Sequence, residues 1–127
     1  LSHNLEHQMS GMFDVAHGAG LAAVWPSWAR YVYKECLPRF VKFAVNVMGV
    51  DPAGKDDEAV ALLGIDAMER YFRSIGMPTN MRELGIEPTE EQLAKMAHGC
   101  AVTNHGKRGS AKVCYEQDFL NIYRMAL

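Results

Sequence analysis

The sequence predicts an all-α domain of about seven or eight helices around a single core. Three observations lead there. Apolar residues recur at helical spacing, most clearly Val60, Leu63, Ala67, Met68, Tyr71, Phe72 and Ile75. No stretch of useful length alternates apolar with polar residues as a half-buried strand would. Glycine and proline punctuate the chain at short intervals, so helix follows helix through tight corners.

Taken in order, residues 2 to 10 predict a first helix that Gly11 ends, and His17 to Val24 begins a second. Pro26 suits the first turn of a third helix through Trp28, Tyr31 and Val32, because its missing N–H costs nothing there. Pro38 interrupts again before the amphipathic stretch Phe40, Val41, Phe43, Ala44, Val47 and Met48, which Gly49 stops. Residues 50 to 57 are polar and turn-rich, and Asp56 or Asp57 can cap the helix that follows. The stripe from Val60 to Ile75 should face the core, with Gly76 and Pro78 ending the helix. Thr89-Glu90-Glu91-Gln92 has the form of a capping box opening a helix with Leu93, Met96 and Ala97 inward, ending at Gly99. The last helix, Glu116 to Ala126, turns Phe119, Ile122 and Tyr123 inward.

Between the last two helices, residues 103 to 112 are polar and glycine-rich. Their glycines fit neither the Walker A nor the GxGxxG spacing and no strand pattern precedes them, so a solvated loop is expected rather than a phosphate cradle.

Composition bounds the function classes. The 127 residues fit one domain with a hydrophobic core of its own, and 49% apolar with 22% charged residues is ordinary for a globular chain. A net charge of −2 with scattered basic residues gives no electrostatic ground for binding nucleic acid or an anionic membrane. Pro26, Arg30 and Lys34 break the longest apolar run, so no membrane span is expected. Cys36, Cys100 and Cys114 are odd in number, lack CxxC spacing and follow no secretory signal, which predicts reduced thiols and a cytoplasmic protein.

The chemistry is concentrated in the first 26 residues. His3 and His7, four apart, share one face of a helix, so their ring nitrogens can converge. His17 opens the next apolar run after a corner and can fold back toward them. Imidazole is the commonest metal ligand and the natural proton carrier near neutrality, so three of the chain's five histidines within this stretch form a site hypothesis. A lone histidine is more often a hydrogen-bonded core residue, and the spacing of the group is what lifts it above that reading.

From His3 to Pro26 the pattern His-x3-His-x2-(Ser/Gly)-Gly-x-(Phe/Tyr)-x3-His-Gly, followed by Leu21-Ala22 and by Trp25-Pro26-Ser27-Trp28, resembles the signature opening the helical half of the iron-containing alcohol dehydrogenases. The butanol dehydrogenase and aldehyde reductase branch is the most similar. Weaker likeness extends through Ile75 to Pro78, Leu84 to Ile86 and Glu116 to Tyr123. The resemblance implies a dehydroquinate-synthase-like C-terminal helical domain spanning residues 1–127. It implies His3 and His17 as ligands of a divalent iron or zinc, and His7 as the active-site histidine beside the nicotinamide. Phe13 would line the substrate pocket, with Trp25 and Trp28 as further candidates for its apolar wall, although such aromatics are more often packing.

A metal held by imidazoles and a carboxylate polarises an alcohol or aldehyde oxygen, while NAD or NADP carries the hydride. The family's other two ligands, an Asp and a His on an earlier helix, have no counterpart here, nor has its nucleotide-binding half. These residues alone are therefore expected to be catalytically incompetent, and the missing N-terminal domain becomes a required partner. In the family, a loop near residues 103 to 112 approaches the substrate, which makes His105 and Lys107 weak secondary candidates.

Two rival readings use the same residues. His3-Asn4-Leu5-Glu6-His7 matches HxxEH, the inverted zinc-peptidase motif with Glu6 as general base, but five residues recur easily by chance and leave Gly11, His17, Gly18 and Pro26 unexplained. A non-catalytic helical assembly domain is the other. An apolar face meant for a missing domain would need covering, and a homo-oligomer would cover it.

Overall fold

The structure, a computed structural model, describes the backbone of residues 2–103, 107–108 and 114–127 and the side chains of residues 5–101 and 115–127. Among the described residues there are seven α-helices, a 3-10 turn and a two-stranded ribbon. The helices are α1 (Ser2–Phe13), α2 (His17–Val32), α3 (Leu37–Asn46), α4 (Asp57–Ser74), α5 (Met81–Leu84), α6 (Glu90–Thr103) and α7 (Glu116–Met125); the 3-10 turn is Tyr33–Cys36. The expected all-α class holds.

Helix α2 is the hub. It packs against α1, α4, α5 and α7, while α6 bridges α1 and α7 and α3 lies along α4. Leu5 and Met9 of α1, Val24 and Val32 of α2, Leu93 and Met96 of α6, and Phe119 and Ile122 of α7 are all buried in one core. Polar anchors fix the packing. The buried Tyr123 hydroxyl donates to the Leu5 carbonyl at 2.6 Å and lies 3.5 Å from Cys100 Sγ. Arg30 forks from α2 to Glu69 at 2.6 Å and Asp66 at 2.7 Å on α4, and Tyr31 donates to Asp118 at 2.5 Å.

Local chemistry sets several boundaries as expected. Asp56 caps α4, accepting from the Ala59 N–H at 2.8 Å. Gly76, at φ +78°, lets the chain leave α4 in the left-handed region. Thr89 and Gln92 form the reciprocal bonds of a capping box, at 2.9 and 3.2 Å.

Other expectations are corrected. Gly11 does not end α1, which runs on to Phe13; the chain turns at Asp14, whose φ of +54° is tolerated because a short polar side chain can occupy this region. Residues 17 to 32 form one helix rather than two, with Pro26 buried inside it. An internal proline costs about 3 kcal/mol in an isolated helix, and here packing on several sides of α2 holds the helix continuous. Helix α6 likewise continues through Gly99, where a side chain would collide with the carboxamide of Gln8 on α1.

The stripe on α4 is rotated from its expected face: Val60, Ala61, Gly64 and Ile65 are buried, whereas Tyr71 and Ile75 are 52% and 55% exposed. The cause is the close approach of α3, where a Cβ on Gly64 would stand 2.5 Å from that of Ala44. Small residues decide the contact, and they carry little weight in an apolar pattern. The ribbon pairs Lys107 with Tyr115 and Arg108 with Cys114, strands too short for periodicity to reveal.

Candidate metal and substrate site

The corner between α1 and α2 brings His7 and His17 together. Helix α1 presents residue 7 one turn after residue 3, and the turn at Asp14 brings the start of α2 back alongside. His17 is the first residue of α2. Its ring lies 5.7 Å from that of His7, centroid to centroid, the planes inclined by 42°. Both side chains are exposed. The side chain of His3 lies outside the described residues, as do His105 and the side chain of Lys107.

Beneath the two rings is Glu6, fully buried on the face of α1 that meets α2. One carboxylate oxygen stands 2.5 Å from His17 Nδ1, and the other accepts from the Ser10 hydroxyl. Ser10 also reaches the Val15 carbonyl at 3.2 Å, tying the carboxylate to the corner itself. Room for Glu6 comes from Gly20: a Cβ there would lie 2.6 Å from the Glu6 Cγ. Charged side chains are almost never fully buried without partners, and Glu6 has them.

Apolar space adjoins the corner. A cavity of about 420 Å³ is lined by Gly18, Leu21, Ala22, Trp25, Phe72, Ile75 and Met77, so Trp25 belongs to a wall that begins at Gly18, the residue after His17. Trp28 does not line this space. It stacks near Phe40 and borders a separate cavity of about 300 Å³ with Cys36, Arg39 and Phe43. Phe13, at the end of α1, is half-buried and packs against the core.

The sequence anticipated that His17 folds back toward His7, and named Trp25 as a wall candidate. Sequence reasoning gave Glu6 the wrong surroundings and missed Ser10, Gly20 and Met77. The available signal for Glu6 was its helical spacing from the core residues Leu5 and Met9, which puts it between the histidine face and the interior.

An imidazole whose Nδ1 is held by a carboxylate has its other nitrogen suited to a metal, and a second imidazole adjoins it. His17 is thus suited to contribute one nitrogen to a divalent metal, the remaining ligands lying elsewhere, since among the described residues no group of three or more His, Cys, Asp or Glu side chains is gathered closely enough to hold one. The peptidase reading does not survive: Glu6 is buried against α2 rather than facing water beside His3 and His7. No helix among the described residues is long and apolar enough to cross a membrane.

Residues 1–127 match the family model described as Fe-containing alcohol dehydrogenase family, C-terminal. A probable NADH-dependent butanol dehydrogenase 1 of Bacillus subtilis is 36% identical over 126 residues, covering 99% of this chain and 32% of the relative. NADH-dependent butanol dehydrogenase A of Clostridium acetobutylicum is 34% identical over 123 residues, covering 96% of this chain and 31% of the relative. The crystal structure of NADH-dependent butanol dehydrogenase A from Thermotoga maritima superposes with a TM-score of 0.84 at 31% identity, covering 98% of this chain and 32% of that one.

The fold is that of the helical C-terminal part of a dehydrogenase. The chain belongs to the iron-containing alcohol dehydrogenase family. It spans about a third of the length of the curated relatives it matches, 32% of the first.

Proposed function

We propose that this chain is the metal-binding C-terminal part of an NADH-dependent dehydrogenase that interconverts a small primary alcohol and its aldehyde. The observation that carries the reading is the α1–α2 corner, where His17, held at Nδ1 by buried Glu6, stands 5.7 Å from His7 beside an apolar cavity. The NADH-dependent butanol dehydrogenases among its relatives support the substrate class and NADH as the cofactor.

In this reading His3 and His17 would hold a divalent iron or zinc, together with an Asp and a His from an earlier helix. The metal supplies Lewis acidity toward the substrate oxygen. Everything else is done by the chain's own groups. His17 is fixed by Glu6, and His7, one turn beyond His3, sits beside the nicotinamide and carries a proton between substrate and solvent. Trp25, Leu21 and Met77 shape a space for a short aliphatic chain and keep water from it. The exposed Leu63, Tyr71 and Ile75 of α4 offer apolar surface for assembly as a homo-oligomer. A cytoplasmic setting suits Cys36 and Cys100, neither of which is in a disulfide.

The test is made on this chain joined to its nucleotide-binding half. Metal content and butanol-dependent NAD reduction are measured for the parent and for the His3→Ala, His7→Ala and His17→Ala variants. The expected result is loss of metal in the His3 and His17 variants, and retained metal with activity reduced about 100-fold or more in the His7 variant. Stoichiometric metal retained without His3 and His17 overturns the assignment.

A further inference from the structure

Glu6 is a buried carboxylate with no role in the ligand set just described. We propose that it is the positioning residue of His17: it accepts the Nδ1–H, fixes the imidazole in that tautomer and so aims the Nε2 lone pair at the metal. The inference rests on the reading of His17 as a ligand.

Four features of the corner favour this role over simple helix packing. The carboxylate is fully buried, so it cannot swing away to solvent, and its 2.5 Å contact is with Nδ1 rather than Nε2. A histidine donating from Nδ1 carries its lone pair on Nε2, the nitrogen that is left to coordinate. The second oxygen is occupied by Ser10, whose hydroxyl is also within 3.2 Å of the Val15 carbonyl, so the carboxylate is held against rotation. Gly20 then supplies the missing volume, placing the α2 backbone where only a residue without a Cβ leaves space for Glu6.

An isolated buried carboxylate would be strongly disfavoured, and a helix pair that needed only adhesion would be served as well by an apolar side chain. A carboxylate beside Nδ1 does something an apolar residue cannot: it accepts the Nδ1–H and so restricts the ring to one tautomer and one orientation.

The experiment uses the full-length enzyme carrying this domain, with the variants Glu6→Ala, Glu6→Gln and His17→Ala. Metal affinity is measured by competition with a chelating indicator, using Zn(II) alone as the probe. The His17 tautomer is read from long-range proton–nitrogen correlation in metal-free protein with 15N-labelled histidine. The positioning role predicts the Nδ1–H tautomer in the parent. It also predicts an affinity about 10- to 100-fold weaker in Glu6→Ala, with Glu6→Gln between the two, because a carboxamide oxygen still accepts from Nδ1 without the charge.

An Nε2–H tautomer in the parent overturns the proposal, as does a folded Glu6→Ala protein with parental affinity. Should the alanine variant not fold, the glutamine variant and the parent tautomer decide by the same criteria. If His17→Ala leaves Zn(II) affinity unchanged, the reading of His17 as a ligand fails and the proposal with it. If only His17→Ala weakens binding, the role of Glu6 alone fails.

Discussion

Gly20 of α2 and Glu6 of α1 are complementary: the glycine omits the one side chain that would occupy the carboxylate's place, where a Cβ would stand 2.6 Å from Cγ and 2.7 Å from an oxygen. Alanine at position 20 would gain about 1 kcal/mol in helix propensity and lose about 1–3 kcal/mol to overpacking. Because Glu6 is enclosed on its other sides, the loss is expected to prevail. Gly20→Ala should lower the urea unfolding midpoint, and the 15N-histidine spectrum should show the Nδ1 contact of His17 disturbed. A midpoint at or above the parent's would show that the corner has slack.

Two other helical glycines should respond in opposite directions. At Gly11 a Cβ would meet nothing within 4 Å, so Gly11→Ala should stabilise α1 by about 0.5–1 kcal/mol through propensity and reduced freedom of the unfolded chain. At Gly64 a Cβ would stand 2.5 Å from the Cβ of Ala44 and 2.8 Å from its Cα, part of a backbone that cannot yield cheaply. Gly64→Ala should destabilise by about 1–3 kcal/mol by forcing α3 from α4. Parallel denaturation curves test both, and a common sign would contradict the packing described.

Features written in local chemistry were legible in the sequence. The Thr89–Gln92 capping box, the Asp56 cap, the stop at Gly76 and the inward face of α7 each depend on residues within a few positions of one another. What escaped depends on partners distant in the chain. Pro26 stays inside α2 because of surrounding helices, Gly11 stays helical because nothing demands otherwise, and the face of α4 is chosen by Ala44 against Gly64. The histidines showed through spacing and family likeness. Glu6 could be read as a base beside His7 because nothing in His3-Asn4-Leu5-Glu6-His7 tells which side of the helix another element will cover.

Arg30 joins α2 to α4 by reaching two carboxylates at once, Asp66 and Glu69, which lie three residues apart on one face. A planar guanidinium spans that pair where an ammonium cannot. Arg30→Lys should therefore cost about 1 kcal/mol, an effect that shrinks with added salt because the arginine is partly exposed. A double-mutant cycle with Glu69→Gln isolates the coupling, and a vanishing coupling energy would reduce the bridge to a surface contact.

The Cys100–Tyr123 pair makes the fold sensitive to alkali. Burial pushes the Cys100 thiol from 9.0 up to about 11, against a smaller opposing effect of its hydrogen bond with Tyr123. Burial, and then the neighbouring Cys100 and Glu6, hold the Tyr123 phenol well above 10.0. Below the unfolded thiol's value both states keep the proton and stability is complete. As pH rises from 9.0 toward about 11, the unfolded chain releases a proton that the fold retains, so the unfolded state gains and stability falls. The loss is roughly 1.4 kcal/mol per pH unit for this one group, and Tyr123 extends it to higher pH. The urea midpoint should thus be flat near neutrality and decline through the alkaline range, less steeply in Cys100→Ala. Iodoacetamide near neutral pH should label the half-exposed Cys36 while sparing Cys100 until the protein unfolds. Rapid labelling of Cys100 in the folded state would mean that the α6–α7 interface opens far more readily than its burial implies.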